Sequence, residues 1–238
     1  MIDPTTRWAE IDLKLNIFLK DMPTTQTGEA RERSFTQPQR ISAWNWAQRK
    51  LAMHTPQEKI AYPTIDADGR SAILPPDLLG IRLIYDADEE RYMRPKPAKA
   101  TKAGSIRYDE DDLAQFFLWG GKLYFEQEFD ADHSLTMYFW AYWPEILYEM
   151  DDATLILTQD KIFTPPWAEL ALCHLTAATC LIPGAIDAAI QRQYNIRIDS
   201  GTPLDNARAA MAHEHVWWWN YLVDSVPPVD WRNDSGGM

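Results

Sequence analysis

The sequence predicts an α+β fold, an α-helical bundle with an inserted, mostly antiparallel β-sheet unit. Three observations carry this. Apolar residues recur at helical spacing near both ends of the chain. Between residues 60 and 143 the period shortens to that of strands, punctuated by Asp- and Gly-rich turns. The run from Pro166 to Pro183 is apolar or small nearly all round, with proline at each end, which marks a helix buried in a core. At about 1.5 Å per residue it is roughly 25 Å long, and with Glu169 and His174 inside it the run is a poor membrane span. The rest of the chain is expected to pack against it. Residues 1–55 and 164–225 are expected to form the helical bundle, 56–163 the β-rich unit, and 226–238 a loose tail.

In order, residues 5–20 place Trp8, Ile11, Leu15 and Phe18 on one helical stripe behind a Thr cap. A polar loop from Asp21 to Ser34 follows. Thr36-Gln-Pro-Gln39 reads as a capping box ahead of a second helix, whose stripe is Ile41, Trp44, Ala47 and Leu51. Ile60–Ile65 and Ser71–Leu74 flank Asp66-Ala-Asp-Gly69, a hairpin signal. Leu78–Tyr85 and Arg91–Arg94 read as a strand and its return. Lys96 to Ser105 is a basic, small-residue loop, and 106–113 a short acidic helix. Gln115–Trp119 and Lys122–Glu126 are joined by Gly120-Gly121, another hairpin. Leu135–Trp143 is a long aromatic strand closed by Pro144. After the core helix, 185–194 continues as helix, and a last helix runs from Thr202-Pro203 to Val223.

Composition narrows the function. A net charge of −12 opposes tight nucleic-acid binding, which depends on neutralising phosphates with Lys and Arg. Eleven tryptophans are an excess, and aromatic residues concentrate where surfaces are buried against partners. Cys173 and Cys180 lie about 10 Å apart along one helix, beyond disulfide reach, so buried thiols in a reducing compartment are expected. The opening residues show no basic segment leading into an apolar one, which points to synthesis in a cytoplasm and no membrane association.

Few residues point to chemistry. His213 and His215 are two apart on a helix, so they diverge by about 200°, whereas zinc-binding helices space their histidines by four. Solvated or core-edge histidines are expected. The carboxylate clusters Asp86/Asp88/Glu89/Glu90, Asp109/Glu110/Asp111/Asp112 and Glu149/Asp151/Asp152 read as solvated turns without a calcium-loop pattern. No phosphate loop, nucleophile elbow or paired C-x-x-C is present, so no cofactor, metal or catalytic residue is expected. Trp217, Trp218 and Trp219 fan out over about 200° of a helical turn; they cannot all face one core, so at least one is expected to meet a neighbouring subunit or the β unit. Trp44 is grouped with them as a subunit-interface residue. Lys96, Lys99 and Lys102 form the only basic stretch, a solubilising loop or a contact for an acidic partner or passing DNA.

Taken in order, the tryptophan helix Ala43–Ala52, the hairpin ending in Leu74-Pro-Pro-Asp77, a strand pair, the hairpin Leu118-Trp-Gly-Gly-Lys-Leu-Tyr124, the aromatic strand Leu135–Tyr142, the small-residue helix after Pro165-Pro166 and the long aromatic final helix resemble the head-to-tail adaptor (connector) proteins of tailed bacteriophages. The resemblance covers most of residues 1–225. It implies a structural virion protein that forms a homo-oligomeric ring, commonly of twelve copies, beneath the portal protein. Such a ring binds a downstream tail or nozzle protein and lets the genome pass without holding it. It also implies a location at the head-tail junction of the virion, with assembly in the host cytoplasm. The tail, through Val229, Trp231 and Arg232, is then expected to reach the portal. An acidic lumen suits this role, because phosphates slide past it without trapping. The alternatives are a hydrolytic enzyme, for example a cell-wall glycan hydrolase, using an acidic cluster with His213 or His215, and another tail-completion structural protein.

Overall fold

A computed structural model describes residues 7–21, 34–95, 115–151, 154–181 and 207–227, with side chains in the last segment from residue 210. The architecture is α+β, with four helices and a mostly antiparallel sheet among the described residues. The chain divides into two units, Met1–Thr55 with Trp143–Pro228, and Pro56–Tyr142 with the terminal segment.

The first unit holds helices α1 (Trp8–Phe18), α2 (Gln37–Ala52), α3 (Ala168–Leu181) and α4 (Ala207–Asp224). α3 packs against each of the other three, because its side chains are apolar or small nearly all round and Ala171, Leu172, Leu175 and Ala178 are all fully buried. Cys173 and Cys180 are buried free thiols within it. Burial pushes both up to about 12, so neither is poised to react. α2 begins as expected: Thr36 Oγ1 accepts from Gln39 N–H, and Gln39 Oε1 accepts from Thr36 N–H at 2.9 Å. α1 differs from expectation. Its N-cap is Arg7, which makes no side-chain cap; instead Trp8 N–H donates to Asp160 C=O at 2.8 Å, and Arg7 bridges to Lys161. A strand end thus takes the place of a capping hydroxyl.

A buried cation ties this unit together. Arg40 is fully buried. Its Nη1 donates to Asp12 Oδ1 at 2.9 Å and Asn16 Oδ1 at 2.7 Å, its Nη2 to Asp21 Oδ2 at 2.6 Å, and its Nε to Phe35 C=O at 3.2 Å. Asp21 in turn accepts the N–H groups of Ser34 and Phe35, so both ends of the polar loop close on one carboxylate. Burial works against the charge on Asp21, but those donors and the guanidinium together hold it below its usual range.

Two further strands of this unit, β8 (Leu147–Asp151) and β9 (Thr154–Gln159), form an antiparallel hairpin that the sequence reading missed. Glu149 and Asp151 are strand residues there, not a turn. Asn45 anchors the approach to it, donating to Ile146 C=O at 2.8 Å and accepting from Ile146 N–H at 2.9 Å.

The second unit is a seven-stranded sheet with its own core, so not everything packs on α3 as the sequence reading expected. Its strands are β1 (Gln57–Ala61), β2 (Ser71–Ile73), β3 (Leu78–Asp86), β4 (Arg91–Pro95), β5 (Gln115–Trp119), β6 (Lys122–Phe125) and β7 (Leu135–Ala141), in the order β1-β7-β3-β4-β5-β6-β2. Neighbours are antiparallel except β4 and β5. Ile84, Leu123, Phe125, Met137 and Ala141 are fully buried at its centre. The aromatic strand β7 lies between β1 and β3. The Gly120-Gly121 hairpin forms as expected, with both glycines at positive φ. The turn at Asp66–Gly69 also forms, with Gly69 at φ 68°. Its flanks do not pair as a hairpin, apart from an isolated bridge between Ile65 and Ala72. β1 pairs with β7 and β2 with β6, which offer longer ladders than a local reversal.

Candidate functional site

The feature of the surface that calls for a function is an aromatic ridge on α4. That helix is apolar on more than one side. Its inward residues recur at spacings of four, three and four as Ala212, Val216, Trp219 and Val223, all buried. The remaining large rings are left outside, with Trp217 54%, Trp218 37% and Tyr221 59% exposed. They are not loose. Trp217 stacks on Tyr221 at 5.5 Å and 7°, and Trp218 meets both edge-on at 4.9 and 5.9 Å. Trp218 also lies over His174 of α3, 5.9 Å away at 17°. Leu170, half exposed, stands one turn before His174 and extends the ridge onto α3.

Of the tryptophans expected at an interface, Trp217 and Trp218 therefore have surface to offer. Trp44 and Trp219 do not. Trp44 is fully buried, edge-on to Trp8 at 6.0 Å, and Trp219 is 4% exposed, because both sit on the inward stripes of their helices. The spacing of Ala212, Val216, Trp219 and Val223 was the signal that separates Trp219 from its neighbours.

Beneath the ridge is a pair the sequence reading did not make. His213 is exposed, but His215 is buried, and its Nδ1 lies 2.9 Å from Nδ1 of His174. Nε2 of His215 is 3.2 Å from the Phe18 carbonyl. The Phe18 ring meets His174 edge-on at 4.8 Å. Burial, reinforced by His215, pushes His174 down to about 4. Burial also lowers His215, against the opposing pull of the Phe18 carbonyl and Glu214. The histidines hold together α3, α4 and the end of α1.

In the acidic turn at the end of β3, Asp88, Glu89 and Glu90 are exposed as expected, but Asp86 is not. Asp86 is fully buried. Its Oδ1 accepts from Glu89 N–H at 3.2 Å and faces His133 Nε2 at 2.8 Å, while its Oδ2 lies 3.5 Å from Arg91 Nε. The other ring nitrogen of His133 faces Asp88 at 3.3 Å, and Asp88 accepts from Ser134 N–H at 2.8 Å. The cluster fastens the β3–β4 turn to the segment before β7.

Among the described residues, no three His, Cys, Asp or Glu side chains converge as a metal site, and no helix is long and apolar enough to cross a membrane. Lys96, Lys99 and Lys102, the acidic run 109–112, the helix expected at 185–194, the Thr202-Pro203 start of the last helix, and Val229, Trp231 and Arg232 lie outside the described residues. No family model matches the chain, and no curated protein matches its sequence.

Proposed function

We propose that this protein is a structural assembly subunit, the repeating unit of a ring that joins a phage capsid to its tail beneath the portal. The observation that carries the assembly part is the exposed aromatic ridge of Trp217, Trp218 and Tyr221 on the helical unit. An apolar ridge of this kind costs solubility in a monomer and contributes strongly when a neighbour covers it. The more specific part, the adaptor role with the portal above and a tail or nozzle protein below, rests on the order of motifs that resembles the connector family. The net charge of −12 supports a conduit that DNA traverses without binding.

Single-particle imaging of the protein alone and mixed with a portal, with mass from light scattering, tests both parts. A ring, either alone or on the portal, is expected for the natural sequence. Trp217→Glu with Tyr221→Glu is expected to give a folded monomer, since both side chains point outward and the core is untouched. A natural protein that stays monomeric and ignores every portal tried would end the adaptor reading.

A further inference from the structure

The histidine pair admits only one arrangement of protons when both rings are neutral. A carbonyl oxygen can only accept, so Nε2 of His215 carries the hydrogen that it donates to Phe18 C=O at 3.2 Å. Nδ1 of His215 is then a lone pair. The facing Nδ1 of His174, 2.9 Å away, must be the donor. That assigns His174 the Nδ1–H tautomer and leaves its Nε2 unprotonated beside the Trp218 ring.

We propose that His174 and His215 form an acid-operated latch that clasps α3, α4 and the end of α1 when neutral and releases α4, with its aromatic ridge, when protonated. The geometry sets the order of events. A first proton has a place at Nε2 of His174, which keeps the Nδ1–H···Nδ1 bond intact. A second has only Nδ1 of His215, which is already receiving, so two N–H groups would face each other at 2.9 Å and the bond is lost. The environment gives protons little help. Among the described residues, the charged groups that bear on the pair are Lys20, beyond the end of α1, and Glu214 on α4. From α3 the nearest ion pair is Glu169 with Lys14 of α1, more than a turn away along the helix. From α2, Arg40 is enclosed by Asp12 and Asp21. No carboxylate hydrogen-bonds either ring among those residues.

The sign follows from linkage. The closed state binds protons less readily than an exposed histidine with its ordinary value of 6.5, and His174 sits at about 4. The latch is therefore fully closed above pH 6.5, and its hold is lost as pH falls toward 4. Within that window, each of the two rings that binds its proton more tightly when open raises the opening equilibrium by about tenfold per pH unit.

The test uses the full chain. Imidazole nitrogen NMR at pH 7 is expected to show His174 in the Nδ1–H form and His215 in the Nε2–H form. Hydrogen exchange of α4, corrected for the intrinsic pH effect, is expected to accelerate between pH 6.5 and 4 together with a change in Trp218 emission. His174→Gln still offers an amide N–H to His215 but leaves only that ring to take up a proton, so its α4 exchange is expected to rise less steeply across the window than in the natural protein. Finding His174 as the Nε2–H tautomer, or finding that it titrates at the ordinary histidine value of 6.5, would overturn the latch even if the variant fails to fold. An identical acid transition in His174→Gln would do the same.

Discussion

Replacing Arg40 by Met tests whether the polar knot in the helical core specifies the unit or merely decorates it. The Arg40 side chain is wholly excluded from solvent, and the carboxylates it meets are nearly so, at 10% for Asp12 and 2% for Asp21. Methionine fills part of the volume but leaves two buried acids without their cation and Asn16 and Phe35 without their donor. Breaking a buried pair from one side costs about 3–5 kcal/mol. For chains of 150–250 residues each kcal/mol moves the midpoint by about 2–4 °C, so the expected loss is about 6–20 °C. Thermal unfolding followed by near-ultraviolet circular dichroism reads it, because Trp8 and Trp44, 6.0 Å apart, report on this core. Arg40→Lys is expected to fall between the two, since an ammonium keeps the charge but cannot fork toward Asp12 and Asp21 together. Acid gives an independent check. Asp21 titrates below its ordinary 3.8, so its contribution is full above that value and disappears as pH falls through the lowered one. The natural protein should lose stability more steeply below about pH 4 than Arg40→Met. A variant that melts within about 3 °C of the natural protein with the same acid limb would show that the knot is energetically idle.

Other perturbations separate local from tertiary causes. Gly69→Ala places a Cβ 2.7 Å from the Phe129 carbonyl at a positive φ, and is expected to lower unfolding free energy by about 1–3 kcal/mol in urea. Gly121→Ala, also at positive φ but facing open space, should cost less, about 1 kcal/mol; equal losses would contradict the close-approach argument. Thr36→Ala removes the capping acceptor of α2 and is expected to cost about 1 kcal/mol, with exchange rising at the first turn of that helix and not elsewhere. Asp86→Ala takes away the partner of His133 and Arg91 and the acceptor of Glu89 N–H, with an expected loss of about 1–3 kcal/mol confined to the sheet unit.

What was legible in the chain was what a few neighbouring residues decide among themselves. The Thr36–Gln39 box, the Gly120-Gly121 hairpin, the β3–β4 pair and the start of α3 are each written within about twenty residues. Gly69 announced a turn correctly, but nothing local says that β1 ladders with a strand about eighty positions away. The β8–β9 hairpin escaped because β8 is exposed along its whole length, so it lacks the in-out alternation by which a half-buried strand is recognised. The Arg40 knot and the histidine pair escaped for a related reason. Their partners lie 19–28 and 41 residues apart, and each side chain taken singly reads as an ordinary polar residue. The fourth helix was mixed: its wealth of rings was plain, while their division into inner and outer sets needed the register of Val216 and Val223.

That division also bears on the competing enzymatic reading. Exposed tryptophans in a glycan-processing protein serve as platforms, and a platform needs an open aromatic face against which a sugar can lie. On α4 stacking already covers one face of each of three rings. Trp217 is stacked on Tyr221 with planes 7° apart, and Trp218 lies nearly parallel to His174. The result is a ridge braced by His174 of α3, a shape that suits a groove between helices of a neighbouring protein. One carboxylate and one histidine weighed for hydrolysis are withdrawn into the fold. Asp86 is sealed under its own turn, held by His133 and Glu89 N–H, and His215 is committed to His174 and Phe18. Of the residues first weighed for chemistry, Asp86 and His215 hold the fold in shape, while His213, Asp88, Glu89, Glu90, Glu149 and Asp151 stay exposed.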